Sequence, residues 1–325
     1  MTLLVFFFSL GILILFHEFG HFFAARRVGL KVEEFSIGFP PRIFSKKIKG
    51  TLYSLGAIFF GGFVKLKGEN DPDDPEGFLN LKPYKKFIIA IAGVVFNILL
   101  AYILIFISLN IGYPVESDKI IVSGILNNSQ ASKYFQIGDQ ILYVQKDFKI
   151  YKFNSPAELS KFLRDNKNKE VEIFYIRDNK FFVAKVVPPV GFYLTNFQLK
   201  QFSITESIIL AFEKTYTNFK NIFIGFIKLI DNFLKEGKMH EEIVGPVGIY
   251  NLFYNFQNFG LGYLFNFLAL LSLNLAFINI LPFPALDGGR AFMAILEMSI
   301  KKKINYKKEE LIHQIGFLFL FFLLI

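Results

Sequence analysis

Three stretches of this chain are too long and too continuously apolar for a fold that meets water on every side. Residues 3–25, 87–111 and 261–282 each come near the ~20 apolar residues that a helix needs to cross hydrocarbon. A fourth run, 312–325, is shorter and contains Gln314. The composition agrees with membrane-spanning segments: 53% of the 325 residues are apolar, and the mean hydropathy is +0.42, above the usual range for a soluble domain. The chain opens Met1-Thr2-Leu3 and runs straight into apolar residues. It shows neither the basic leader nor the small-residue cleavage site of a secretory signal, so the first run is expected to be a retained span.

Charge orients these runs. The segment between the first two carries Arg26, Arg27, Lys31, Arg42, Lys46, Lys47, Lys49, Lys65, Lys67, Lys82, Lys85 and Lys86, and such segments stay on the cytoplasmic side. The N-terminus is then external, as is the region from about Tyr113 to Asn258. The loop with Lys301, Lys302, Lys303, Lys307 and Lys308 returns to the cytoplasm, in agreement with its own charge. The net charge of +9 clusters beside apolar runs, which suits an anionic lipid surface rather than nucleic acid. With no cysteine, disulfides and thiolate ligands are excluded, and any bound metal must sit on nitrogen and oxygen.

The expected architecture is an α-helical polytopic membrane protein of about four transmembrane helices, with a membrane-reentrant β-hairpin and an inserted β-rich domain. Residues 1–112 hold the first two spans, 113–190 an external β-rich domain, 191–258 an external amphipathic helical segment, and 259–325 the last two spans. Runs such as Lys119-Ile120-Ile121-Val122 and 171–176 alternate with turn residues, as strands do. Ser155-Pro156-Ala157-Glu158 has the cap, the first-turn proline and the third-position glutamate of a helix start. From Thr205 to Glu236 apolar residues recur at helical spacing among charges, which predicts a helix, or a helix pair, lying against the membrane. Residues 51–66 are too apolar for an ordinary cytoplasmic loop and too broken by Gly56, Gly61 and Gly62 for a span. They read as two strand runs of a hairpin that dips into the membrane, either to pair with substrate through Gly61, Gly62 and Phe63 or to seal a site.

Inside the first apolar run stands His17-Glu18-Phe19-Gly20-His21. Residues four apart share one helix face, so both imidazoles can reach one zinc ion while Glu18 is offset to handle a proton. Five-residue matches of this kind also occur by chance. Here the triplet lies in a bilayer-crossing segment, where ionisable groups cost on the order of several kcal/mol unless a partner or cavity receives them. A catalytic zinc needs a third protein ligand. His240 is in the external region and His313 has basic neighbours. Asp287, between Asn279-Ile280-Leu281-Pro282-Phe283-Pro284-Ala285-Leu286 and Gly288-Gly289, lies at the same cytoplasmic end as the histidines; the alternative is a surface Asp-Gly turn. Asn97 and Asn279 are polar groups in apolar spans, open either to substrate backbone or oxyanion, or to interhelical hydrogen bonds.

These residues resemble the site-2 protease family, and in particular the bacterial regulator-of-sigma-E-protease type of intramembrane zinc metalloprotease. The resemblance runs through His17–His21, Asn279 to Gly289, Gly61-Gly62-Phe63-Val64-Lys65, Ala92-Gly93 with Asn97, and Gly245-Pro246-Val247-Gly248-Ile249. It implies one zinc per chain on His17, His21 and Asp287, with Glu18 as catalytic acid/base. The candidate substrate contacts remain those read from the residues themselves, Asn279, Gly61, Gly62, Phe63 and Asn97. The external domain resembles a single PDZ domain through Asn128-Ser129-Gln130-Ala131 and Phe135 to Ile141, serving either to bind peptide or as a size filter. Two departures are Pro40 and Val94, where the family commonly has glycine and proline; Pro40 fixes φ and removes a donor in the loop near the hairpin.

The function that follows is cleavage of single-span membrane proteins, anti-sigma-factor-like or remnant signal peptides, in the bacterial inner membrane, with the site toward the cytoplasm. The oligomeric state has no sequence signature. A second possibility is a proteolytically inactive scaffold that presents its PDZ-like domain. A zinc transporter is disfavoured, because the intramembrane ionisable groups form one cluster rather than a path.

Overall fold

The computed structural model describes residues 2–126, 128–236 and 245–324. The apolar runs are helices, as a backbone in hydrocarbon requires, since only internal pairing satisfies its N–H and C=O groups there. Helix α1 (Thr2–Arg27), helix α2 (Pro83–Ile111) and helix α7 (Leu261–Ile280) are the three described helices long and apolar enough to cross a membrane. The fourth run lies in helix α9 (Tyr306–Leu324), which falls outside that group. Lys307, Lys308, Glu309 and Glu310 follow Tyr306 at its start, leaving 14 residues that still include His313 and Gln314, or ~21 Å of helix. By sequence alone the chain is a membrane protein with β-rich parts.

Contacts divide the chain into two units, and α2, helix α5 (Ile204–Glu236), helix α6 (Pro246–Asn258) and α7 each contribute residues to both. The first unit takes in residues 1–105, 210–250 and 268–325. Its sheet is made of strands β1 (Val32–Ile48) and β2 (Thr51–Leu66), each bent double. Lys49 and Gly50 both have positive φ, the two-residue turn whose twist suits a hairpin; it folds 44–47 antiparallel onto 52–55. Residues 34–37 then run beside 52–55 in the same direction on their other side, and pair antiparallel with 62–65. The order is therefore 42–48, 51–56, 32–37, 62–66.

This differs from the hairpin expected within 51–66, because its two runs never pair with each other. The glycines there serve close approach rather than reversal: a Cβ on Gly62 would stand 2.5 Å from Ser36 O, and one on Gly56 would collide with Phe39 O. Buried Glu34 pins the bend. It accepts from Arg42 Nε at 2.8 Å and Nη2 at 2.5 Å, and from Ser54 Oγ at 2.7 Å. Against this sheet pack Phe22, Ala25, Ile89 and Ala92 of α1 and α2, together with Phe78 of the single 3-10 turn Phe78–Asn80. Helix α8 (Asp287–Ile300) follows α7 after a six-residue loop, and a buried Lys86–Glu297 pair at 2.9 Å ties its far end to the start of α2.

The second unit, residues 106–209 and 251–267, is the β-rich part. Strands β3 (Tyr113–Ile125), β4 (Gln140–Lys146), β5 (Lys149–Tyr151), β6 (Val171–Arg177), β7 (Lys180–Val186) and β8 (Phe192–Lys200) form one sheet in the order β7-β6-β4-β3-β8, with β5 beside β4. Helices α3 (Ala131–Tyr134) and α4 (Pro156–Asp165) complete it around a core that includes Val122, Ile141, Val144, Leu159 and Ile173. Ser155 caps α4 by accepting from Glu158 N–H, as its sequence predicts. The sheet runs ten residues past position 190, because 192–200 pairs antiparallel with β3. Arg177 holds buried Asp139 through two bonds of 2.7 Å; that partner, ahead of a smaller opposing effect of burial, pushes the guanidinium further up.

Burial alone would raise the Glu34 carboxyl, but the bonds from Arg42 and Ser54 and the Arg42 charge hold it below its ordinary 4.5. A carboxylate lowered in the folded state adds stability above its unfolded pKa and loses it as pH falls through the folded one. Glu34→Gln should therefore lower the melting temperature most at pH 7. The gap to wild type should close as pH drops below about 4.5, measured by thermal melts in detergent across that range.

Candidate metal centre

Helix α1 sets His17 and His21 one turn apart, and their rings meet edge to face with centroids 4.8 Å apart. Across from them the chain leaves α7 through Pro282 and Pro284, turns at Ala285 with φ 72°, and starts α8 at Asp287. The Gly288-Gly289 pair explains how α8 can start there. A Cβ on either residue would collide with main chain, at Leu281 O and Ile280 for the first and Phe283 O for the second. Asp287 is thus a first-turn helix residue rather than the tip of a surface turn.

The three donors converge. Asp287 Oδ2 lies 2.8 Å from His17 Nε2 and 3.2 Å from His21 Nε2, and the two Nε2 atoms are 3.2 Å apart. Bonds of about 2.05 Å to a tetrahedral zinc put donor atoms ~3.3 Å from one another. The group therefore needs to open by only a few tenths of an ångström to receive the ion. Nitrogen and oxygen donors without thiolate suit zinc as a catalytic rather than a structural ion. Among the described residues these three are the one group of such side chains close enough to share a metal.

The surroundings orient the donors. His21 Nδ1 lies 2.8 Å from Ile89 O; a carbonyl only accepts, so this ring carries its proton on Nδ1 and keeps Nε2 free for a metal. Asn97, fully buried, stands 3.1 Å from His17 Nδ1. Gly93 faces both rings: a Cβ there would stand 2.5 Å from His17 Cε1 and 2.5 Å from His21 Nε2.

Glu18 shares with these donors a cavity of about 780 Å³, walled also by Phe63, Val64, Leu66, Glu69, Arg290 and Glu309. Val64, in the cavity wall with Glu18, belongs to segment 62–66, which pairs within its sheet on one side only. Arg290 reaches Glu69 at 2.8 Å.

Of the residues singled out by sequence, His17, Glu18, His21, Asp287 and Phe63 line this one cavity. Gly61 and Gly62 lie just outside it, at close strand and ring contacts. Asn97 goes to His17, the interhelical alternative, rather than to the cavity. Asn279, half-buried near the end of α7, is not among the lining residues. His313 accepts from Ala285 N–H at 2.9 Å, bracing the Asp287 loop, and His240 lies outside the described residues. Gly93 and Ile89 O were not anticipated as parts of the site. The glycine was visible only as part of a helix start, and a backbone carbonyl has no sequence signature.

A membrane protein that turns two histidines of a His-Glu-x-x-His helix and a distant aspartate toward one point, beside a free glutamate, has the make-up of a membrane-embedded metalloprotease. The profile of Peptidase family M50 matches residues 5–323, and the chain belongs to that family, the site-2 proteases. “Putative zinc metalloprotease FN1322” of Fusobacterium nucleatum is 31% identical over 343 residues, spanning 100% of this chain and 96% of its own length. The similarly named CPE1693 of Clostridium perfringens is 33% identical, over 96% of this chain and 93% of its own. Cj1068 of Campylobacter jejuni is 30% identical over 94% and 86%. The protein is a zinc metalloprotease.

Gly93→Ala should displace both imidazoles. Zinc content of the purified variant is expected to fall well below that of wild type, as read by atomic absorption, whereas an alanine at the open position Gly225 should leave it unchanged.

Proposed function

We propose that this protease cuts peptide bonds within the transmembrane segments of single-span membrane proteins, of the anti-sigma-factor type or remnant signal peptides. The observation that carries this reading is the meeting of His17, His21 and Asp287 with Glu18 in one cavity whose wall is an unpaired strand edge. His17, His21 and Asp287 are the zinc ligands. Zinc held there supplies Lewis acidity and lowers the pKa of water to about 7. Glu18 takes the proton from the attacking water and returns it to the leaving amine. The carboxylate is positioned for that by its place on α1, one residue from a ligand and in the same cavity as Val64.

A transmembrane substrate arrives as a helix with its peptide groups already paired, so cleavage requires an extended stretch with new partners. Segment 62–66 offers a row of N–H and C=O groups on its open side, with Phe63 and Val64 in the cavity wall. Adding a strand there gives the substrate its partners and brings its backbone beside Glu18. Gly61 and Gly62 hold that edge against Phe39 and Ser36, so they support the binding strand; Asn279 is assigned no contact.

Charge in the two basic loops supports a multi-pass topology in the bacterial inner membrane, with the N-terminus and residues 113–258 external. In it α9 is the fourth span, its lysines at the cytoplasmic interface. Residues 1–112 and 259–325 make the membrane core. Residues 113–190 form a PDZ-like domain whose sheet continues into β8, an edge strand available to extended peptide. Helix α5, in the stretch 191–258, exposes Ile208, Phe212 and Tyr216, an apolar face that suits contact with lipid, while its Phe219, Phe223 and Phe226 pack against Phe277 of α7.

The test uses the full chain in detergent or liposomes with a single-span substrate. Glu18→Gln should keep about one zinc per chain and lose cleavage by roughly 10²–10⁴-fold; His17→Ala and Asp287→Ala should lose both. Cleavage retained in Glu18→Gln would sink the role of Glu18. Zinc missing from metal-replete wild type would sink the ligand set and leave a scaffold.

A further inference from the structure

We infer that Asn97 is a positioning residue for His17, its amide oxygen accepting from His17 Nδ1–H so that the Nε2 lone pair points to the metal. The inference rests on the reading of His17 as a ligand.

The side-chain amide of Asn97 is unevenly partnered. Asn97 is 0% exposed, its amide nitrogen is the atom set 3.1 Å from His17 Nδ1, and its Oδ1 is buried without a partner. An unpaired buried carbonyl calls for an explanation, and amide O and N assignments are choices made from hydrogen bonding. Three other asparagines near the ends or within helices of this chain behave alike. Asn110, Asn166 and Asn274 each donate Nδ2 to the carbonyl four residues earlier, Phe106, Phe162 and Leu270, at 2.7–2.9 Å. Asn97 departs from this pattern.

Turning the amide over removes the imbalance. Oδ1 then meets His17 Nδ1 and is no longer unpaired. The chemistry of the ring favours the same choice. His17 faces Asp287 Oδ2 and His21 through Nε2, so Nε2 is its coordinating atom, and a neutral imidazole that coordinates through Nε2 carries its proton on Nδ1. Such a ring needs an acceptor, which an amide nitrogen is not. His21 has one in Ile89 O; Asn97 Oδ1 is the equivalent for His17. The residue is well fixed for the task, because its own main-chain O accepts from buried Ser272 Oγ at 2.8 Å, joining α2 to α7 at this level.

The experiment measures zinc affinity of metal-stripped full-length protein in detergent by chelator competition. Asn97→Leu keeps the size and removes the acceptor; its affinity should fall ~10–100-fold, the usual cost of losing such a partner. Asn97→Asp keeps only acceptors and should bind at least as tightly as wild type. Thermal melts of the metal-free forms identify a variant that merely fails to fold, in which case Asn97→Asp alone decides. Wild-type affinity in a folded Asn97→Leu would overturn the inference. So would a folded Asn97→Asp that loses zinc tenfold or more, which would mean that the amide nitrogen is what His17 needs. A wild type that binds no zinc, or a His17→Ala that binds it normally, would instead bring down the ligand reading on which this rests.

Discussion

The structure is organised around the meeting of two imidazoles and a carboxylate at a spot walled by apolar helices. Uncompensated, each such group costs several kcal/mol in hydrocarbon. A divalent ion shared by the three donors would offset that cost. The metal-ready geometry in turn depends on close backbone approach. Gly20 of α1 and Gly93 of α2 sit where any Cβ would stand about 2.5 Å from the opposite helix or its rings. Without lipid-driven attraction between apolar helices, small residues at such crossings are what allow tight packing. Here the same glycine that lets the helices meet also makes room for the ligands.

Around this point each neighbouring element has a separate task. The bent sheet is locked by Glu34, Arg42 and Ser54 and turns one strand edge toward Glu18. The Pro-rich loop after α7 is braced by His313 and by Gly316 of α9, whose Cβ position lies 2.5 Å from Pro284, so Asp287 is delivered at a fixed height. The two devices are separate, one gathering the donors for an ion and the other presenting an open strand edge beside Glu18. In the β-rich unit a buried Asp139–Arg177 pair fixes the sheet in a comparable way, independently of the metal.

Much of this was legible in the sequence, and for a reason that concerns distance along the chain. His17, Glu18 and His21 lie within one helical turn, so their joint geometry follows from 3.6 residues per turn alone. The spans follow from hydrocarbon thickness, and the cap at Ser155 from local hydrogen bonding. Asp287 was left open by spacing and identified by resemblance; its neighbours Gly288 and Gly289 gain their meaning only against the main chain of residues 280–283. The order of the four strand segments departs from the simple hairpin that residues 51–66 suggest. Strand pairing is a non-local choice, and glycines that permit close approach look, in sequence, the same as glycines that turn.

The sequence by itself determined a membrane metalloprotease with a histidine pair, a glutamate and a β-rich part, because these rest on local periodicity and on what lipid excludes. Only the tertiary structure decided which groups serve the histidines. Ile89 contributes a carbonyl that every residue type has, Asn97 an amide 80 positions away from His17, and Gly93 the absence of a side chain. None of these contributions is a property of residue type within its own segment; each comes into being when α1, α2 and the start of α8 are brought within bonding distance.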